Sequence, residues 1–137
     1  MDICVIPQEQ YKLILKLTIL SLGSSCYAIY NGYYVIALCP GGVFLTSVNY
    51  WRKPINCWRR NLDVTYVHLA LMYQLYKAYR AQYMKEYYIL TLIGILFYKL
   101  GIYYYNKKLY WYSTYSHCML HIMCNIANII LYSGQIE

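Results

Sequence analysis

The run of residues 109–132 reads LYWYSTYSHCMLHIMCNIANIILY and carries the pattern on which the fold interpretation depends. Its polar side chains recur at steps of 4, 4, 4 and 3 residues: Ser113, His117, His121, Asn125 and Asn128. At 3.6 residues per turn, this spacing places all five on one face of an α-helix. The opposite face is apolar and carries Met119, Leu120, Ile122, Met123, Ile129 and Ile130. A long apolar helix with one polar stripe is typical of a membrane-spanning segment whose stripe faces neighbouring helices.

Four further apolar runs precede this one, at about 13–30, 33–50, 61–76 and 87–105. A spanning helix needs roughly 17–25 residues, and it must satisfy its backbone hydrogen bonds internally, so we expect these runs to be helical. The third run is short and contains Asp63, His68 and Gln74, so whether it crosses the membrane stays open. The segment Pro40-Gly41-Gly42 lies within the second run and predicts a kink or a broken helix.

The composition agrees with a membrane protein. Of the 137 residues, 61% are hydrophobic, 19% are aromatic and only 12% are charged, whereas a soluble domain carries roughly a quarter charged residues. This composition argues against a soluble globular enzyme and against a disordered chain. We therefore predict one all-α domain over residues 1–137, a polytopic transmembrane bundle of about five helices.

The charge distribution predicts an orientation. The net charge is +7, and the basic residues fall in short clusters between apolar runs, as in membrane loops, so nucleic acid is not the expected partner. With five spans, eight Lys and Arg residues fall on the side of the N-terminus and three on the other side, with Lys99 left out because it lies within a run. The positive-inside rule then places the N-terminus inside and the C-terminus outside.

The N-terminal segment lacks the basic region and cleavage site of a signal peptide, so the first run is expected to be a retained anchor.

The three histidines are candidate ligands for Zn²⁺. His117 and His121 are one helical turn apart, which lets two imidazoles share one metal ion, and the alternative is that both only hydrogen-bond to neighbouring helices. If the third and fifth runs start on the same side, His68 falls at a similar depth. Ser47 and Asp63 flank the basic loop 51–60 at the same end of the bundle, although Asp63 could equally cap a helix or pair with Arg59 or Arg60.

Three short segments resemble the CREST superfamily of membrane hydrolases, which includes the alkaline ceramidases, the adiponectin and progestin receptors and the myomaker-like proteins. Ser47-Val-Asn-Tyr-Trp51 is similar to the family's Ser-x-x-x-His, Asp63 to its aspartate on the next helix, and His117-Cys-Met-Leu-His121 to its His-x-x-x-His on the last helix. The chain departs from the family by having Trp51 in place of the first histidine and five runs in place of seven helices.

The resemblance implies a zinc-dependent hydrolase acting on a lipid amide or similar bond, active or relic. Zn²⁺ would lie on His117 and His121, and His68 could supply a third nitrogen, which the family pattern does not include. Asp63 would orient or deprotonate a metal-bound water, and Ser47 would hydrogen-bond that water or the developing oxyanion.

Two other interpretations stay open. One is a non-enzymatic structural or scaffold membrane protein, of a viral membrane for example, whose polar stripe only packs helices. The other is a transporter or channel subunit lined by that stripe and by the kinked second helix.

Overall fold

The structure, a computed structural model, describes residues 4–136, and most of this range is helical. The helices are α1 (Gln8–Leu17), α2 (Ile19–Tyr30), α3 (Tyr34–Trp51), α4 (Trp58–Ala78), α5 (Met84–Asn106) and α6 (Tyr110–Ser133). Within the described residues the only extended pairing is an isolated antiparallel bridge between Cys4 and Ile55. The prediction of an all-α fold is confirmed.

The first predicted run corresponds to two helices that form nearly one rod. Only Thr18 separates α1 from α2, and its hydroxyl donates to the Leu15 carbonyl at 2.6 Å. Counted in this way, the described helices form five rods, one for each apolar run. The α4 helix is longer than the run 61–76, because its first turn includes Arg59 and Arg60, which an apolar pattern cannot detect.

The turn between α2 and α3 is formed by Asn31-Gly32. Gly32 has a φ of +84°, a conformation that costs glycine little because it has no Cβ. The Asn31 side chain donates to the Tyr27 carbonyl at 2.8 Å and so closes the end of α2. The turn reverses the chain and lays α3 against α2.

The expectation of a broken second helix is wrong, because α3 is continuous from Tyr34 to Trp51 and includes Pro40. Gly42, the second glycine after the proline, allows a side chain of α4 to approach the α3 backbone closely. A Cβ on Gly42 would collide with the ring and hydroxyl of Tyr66 from α4. That hydroxyl donates to the Leu38 carbonyl at 2.5 Å, so Gly42 allows the tyrosine to lie directly on the α3 backbone.

The helices follow a simple spatial order. The helix α6 packs on α5 and on the α1–α2 rod, which packs in turn on α3, and α3 packs on α4. The two ends of this order are therefore α4 and α5, which meet near their connecting turn, where Tyr88 donates to the Leu75 carbonyl at 2.9 Å. Glycine lets α5 approach α6 closely, since a Cβ on Gly94 would lie 2.6 Å from the Cys124 sulfur.

Polar side chains lie inside the bundle, and large apolar side chains cover its outside. The buried polar side chains include Ser24, Ser47, Asp63, Gln74, Thr114, His121, Asn125 and Asn128. Among residues 4–136, no buried side-chain nitrogen or oxygen lacks a hydrogen-bond partner. Two helical stretches of the described chain, Gln8–Tyr30 and Met84–Asn106, are long and apolar enough to cross a membrane by length and composition.

Candidate functional site

The two histidines of α6 face each other. Their Nε2 atoms are 3.2 Å apart, and their ring centroids are 4.9 Å apart in an edge-on arrangement. At this distance one imidazole can donate its N–H to the unprotonated nitrogen of the other. Two nitrogens bound to one tetrahedral Zn²⁺ would be separated by a similar distance, about 3.3 Å. The spacing of the pair alone therefore does not distinguish a hydrogen bond from a shared metal.

Trp51, the last residue of α3, fills the space beside this pair. The ring centroids of Trp51 and His117 are 5.0 Å apart, and Tyr50 packs edge-on against the indole at 4.8 Å. Trp51 is the position at which the resemblance would have required the first metal-binding histidine. Because an indole N–H donates hydrogen bonds and has no lone pair for a metal, this position contributes no ligand.

Ser47 and Asp63 form a second pair, between α3 and α4. The Ser47 hydroxyl donates to Oδ1 of Asp63 at 3.0 Å, and the Thr46 hydroxyl donates to the same oxygen at 2.9 Å. Ser47 lies one turn before Trp51, so α3 carries one member of this cluster and the residue that contacts His117. Thr46 was missed by the sequence reasoning because one more threonine in an apolar helix gives no distinctive signal.

His68 lies apart from the other two histidines. It is exposed on α4, and its Nδ1 hydrogen-bonds to the Val64 carbonyl of its own helix at 2.7 Å. Within residues 4–136, no three His, Cys, Asp or Glu side chains form a group that could hold a metal ion. A catalytic zinc site normally has three protein ligands, so the pair His117 and His121 does not fit such a site by itself.

The remaining members of the α6 stripe connect α6 to three other helices. Ser113 donates to the Gly101 carbonyl of α5 at 2.8 Å, and Asn125 accepts from Ser24 of α2 at 2.6 Å. Asn128 accepts from Gln74 of α4 at 3.2 Å. Beside the stripe, the Thr114 hydroxyl donates to Gln10 of α1 at 2.8 Å, and the Tyr132 hydroxyl donates to Gln74. The sequence predicted the stripe but not these partners.

The basic loop between α3 and α4 is held by Arg59. This buried guanidinium donates to the carbonyl oxygens of Asn49 at 2.8 Å and Lys53 at 2.9 Å. The N-terminal segment is joined to the same loop by a bond from the Val5 N–H to the Pro54 carbonyl at 2.8 Å. At the start of α4, the pKa of the Cys57 thiol is lowered, chiefly by a hydrogen bond from the backbone N–H of Arg59. The Arg59 guanidinium and the backbone N–H of Arg60 lower it further.

Two open recesses of the surface lie away from the histidine pair. One of about 440 Å³ is lined by residues 4–8, Tyr11 and Tyr110, and another of about 330 Å³ lies on the apolar face of α5. Neither His117 nor Asp63 lines either recess. Comparisons with protein-family models, with curated proteins and with solved structures find no match to this chain.

Proposed function

We propose that this chain is a multi-pass integral membrane protein with a non-enzymatic, structural role, and that its polar stripe holds the helices together. The observation that carries this proposal is the distribution of side chains: about half of the buried residues are polar, while many large apolar side chains are exposed on the outside. In water, this arrangement would expose a large apolar surface while burying groups that water solvates well. In lipid, the same arrangement is favourable, because polar groups in a bilayer need partners within the protein.

The completeness of the interior hydrogen bonding also supports a structural role. Every buried polar side-chain atom in residues 4–136 already has a partner within the chain. A binding or catalytic site usually keeps some polar groups available for its ligand. Here Asn125 and Asn128 bind other helices, while Trp51 closes the space next to His117.

The proposed topology has the N-terminus inside and the C-terminus outside. Five rods place the two termini on opposite sides, and most basic loop residues lie at the end of the bundle that contains the loop 52–57 and the turn 107–109. The two stretches that pass the length and composition criterion, Gln8–Tyr30 and Met84–Asn106, are the first and fourth rods. Among the other three, α4 and α6 contain more Asn and His than these two rods, and these residues lower the apolar character without preventing insertion within a bundle.

Alkaline carbonate extraction of membranes tests insertion, and epitope tags at the two termini test topology. We expect the protein to stay in the membrane pellet, and a protease added outside to remove the C-terminal tag only. Release into the carbonate supernatant would refute the membrane proposal. Removal of both tags, or of the N-terminal tag alone, would refute only the orientation.

A second candidate function is the reduced CREST-type zinc hydrolase, active or relic. The observation that favours it is that residues at the motif positions meet in pairs. Ser47 contacts Asp63, and His117 contacts His121. Trp51, which stands where the family has a histidine, contacts His117. Trp51 thus occupies a place from which a histidine could join the pair. The relic interpretation supposes that this replacement removed a metal ligand.

Zinc content of the purified protein separates these candidates. A structural role predicts no bound zinc in the natural chain, and equal zinc in His117→Ala/His121→Ala. A relic predicts no zinc in the natural chain but about one equivalent in Trp51→His, lost again when His117 and His121 are also replaced. An active hydrolase predicts bound zinc and release of fatty acid from a lipid amide by the natural chain. Zinc bound only with Trp51→His would overturn a purely structural origin of the histidine pair.

A further inference from the structure

The outward face of α4 carries a continuous apolar seam. Its members recur at alternating steps of four and three residues, and we call them the α4 seam: Trp58, Leu62, Thr65, Leu69, Met72, Tyr76 and Tyr79. The six large apolar members are between 44% and 76% exposed. Since α4 lies at one end of the helix order, the helices described in residues 4–136 leave this face open.

Two polar groups interrupt the face near its middle. Thr65 and His68 are both exposed and are one turn apart. The Nδ1 of His68 must donate to the Val64 carbonyl, because a carbonyl oxygen only accepts, so a neutral ring keeps Nε2 as an acceptor without a partner. The Thr65 hydroxyl has no side-chain hydrogen bond within the described part of the chain. The face therefore offers one donor and one acceptor that the fold does not use.

The depth of these groups makes their exposure costly. His68 is ten residues from the start of α4, which is about 15 Å at 1.5 Å per residue. That distance is about half the thickness of the hydrocarbon core, so both groups would lie near the middle of the bilayer. Polar groups at this depth normally face a protein partner and not lipid.

We infer that a second copy of this chain covers the α4 seam. The inference rests on the membrane insertion proposed above. All copies insert in the same direction, so a two-fold axis must run along the membrane normal and the two α4 helices must lie parallel. Equal positions then meet at equal depth, and the Thr65 hydroxyl of each copy can donate to His68 Nε2 of the other. The face supplies both halves of two reciprocal hydrogen bonds.

The area of the seam is sufficient for such a contact. Its six large apolar side chains together expose on the order of 800 Å², the area that each partner contributes to a standard interface. The outward face of α5 provides a contrast. Ile89, Leu92 and Leu96 make it apolar, and the exposed Lys99 has a long side chain that can reach towards the headgroups, so lipid can cover this face.

The test measures energy transfer between full-length chains that carry donor or acceptor fluorophores at the C-terminus, in phosphatidylcholine vesicles at a series of protein-to-lipid ratios. We expect the double variant Thr65→Val/His68→Leu to raise the mole fraction needed for half-maximal transfer by about tenfold, as expected for the loss of interhelical hydrogen bonds in a membrane. His68→Gln keeps an acceptor and should stay close to the natural chain. Leu92→Ala/Leu96→Ala on α5 is the matched control and should cause no shift.

Three results would overturn the inference. The first is energy transfer no greater than random collision at every protein-to-lipid ratio, which means that lipid covers the seam. The second is no change in the mole fraction for half-maximal transfer in the double variant, and the third is an equal change in the α5 control. Carbonate extraction of the same vesicles keeps the two proposals separate. A protein that is retained but shows no specific transfer refutes only the dimer, whereas a protein that is released refutes the membrane insertion on which the dimer depends.

Discussion

Arg59 illustrates how a single charged residue can organise one end of the bundle. Its guanidinium is buried and donates to two carbonyl oxygens, on Asn49 and Lys53, while the adjacent Arg60 is exposed. We expect Arg59→Gln to lower the free energy of unfolding by about 2–3 kcal/mol, since hydrogen bonds from charged donors are stronger than neutral ones. Thermal unfolding in detergent measures this effect. Arg60→Gln removes the same charge without those bonds and should leave the melting temperature nearly unchanged; equal losses in both variants would mean that only charge matters.

Cys57 gives a second prediction for a single residue. Because nearby N–H groups lower its pKa, a larger fraction of this thiol is ionised at neutral pH than is usual for cysteine, and the thiolate is the reactive form. We expect a maleimide added to the detergent-solubilised protein to label Cys57 with a rate that rises with pH and levels off below the pH typical of a free cysteine. Mass spectrometry of the labelled peptide over a pH series measures this, with Cys57→Ser as the blank. A rate that keeps rising through pH 9 would contradict the prediction.

At the level of single residues, the sequence selected candidate side chains but did not show most of their partners. Ser47 and Asp63 were selected because of a motif, and the structure adds Thr46, which donates to the same carboxylate oxygen. His117 and His121 were paired from their spacing along one helix, which is a local property. The position of His68 depends on how α4 is rotated about its axis, and a short run with mixed polarity does not determine that rotation. The metal site remains a prediction.

Close contact between two helices depends on glycine in the α3–α4 pair. A Cβ on Gly42 would overlap the Tyr66 ring, whereas a Cβ on Gly101 would find only ordinary contacts at 3.5 Å or more. We therefore expect Gly42→Ala to destabilise the protein by a few kcal/mol, within the usual range for overpacking. Gly101→Ala should be neutral or slightly stabilising, because alanine is favoured over glycine in helices by about 1 kcal/mol.

Chemical or thermal unfolding of both glycine variants in detergent tests this difference. Gly42→Ala/Tyr66→Ala removes the colliding ring and should recover part of the loss caused by Gly42→Ala alone. If Gly42→Ala were as stable as Gly101→Ala, then the contact between Tyr66 and the α3 backbone would not be important for packing.

The helices themselves were predictable because each is encoded by a continuous apolar run. Their ends were less predictable. The α4 helix begins with Trp58-Arg59-Arg60, and nothing in an apolar pattern shows that a helix includes such residues. The segment Pro40-Gly41-Gly42 was predicted to kink or break its helix, and the helix does not break. The close approach of Tyr66 from another helix, which Gly42 allows, could not be seen in the sequence.

The molecule as a whole is held together by polar groups on α6, which contact most of the other rods. Asn125 is central, since it accepts from Ser24 and donates to the His121 carbonyl at 2.7 Å. We expect Asn125→Val to lower the free energy of unfolding by about 1–2 kcal/mol, the range for interhelical hydrogen bonds in membranes. Unfolding in mixed micelles measures this. The neighbouring outward substitution Ile126→Val should have little effect, and a larger loss there would contradict the assignment of inside and outside.

The arrangement of the rods could not be predicted from the sequence. The stripe on α6 indicated that this helix has polar neighbours, but Ser24, Gln74 and Gln10 are far from it along the chain. In such a bundle, apolar surfaces do not specify partners, because lipid and protein solvate them almost equally well. Small and polar residues decide the neighbours, and a single sequence does not show which of them pair.

The late position of α6 has a consequence for biosynthesis. Ser24 is separated by 101 residues from the asparagine that binds it. Under the membrane insertion proposed above, a nascent chain would carry this and other polar side chains into the membrane long before α6 leaves the ribosome. During that interval, insertion machinery or a chaperone would have to shield them. Chains that terminate prematurely would keep those groups exposed and would be natural targets for quality-control proteolysis.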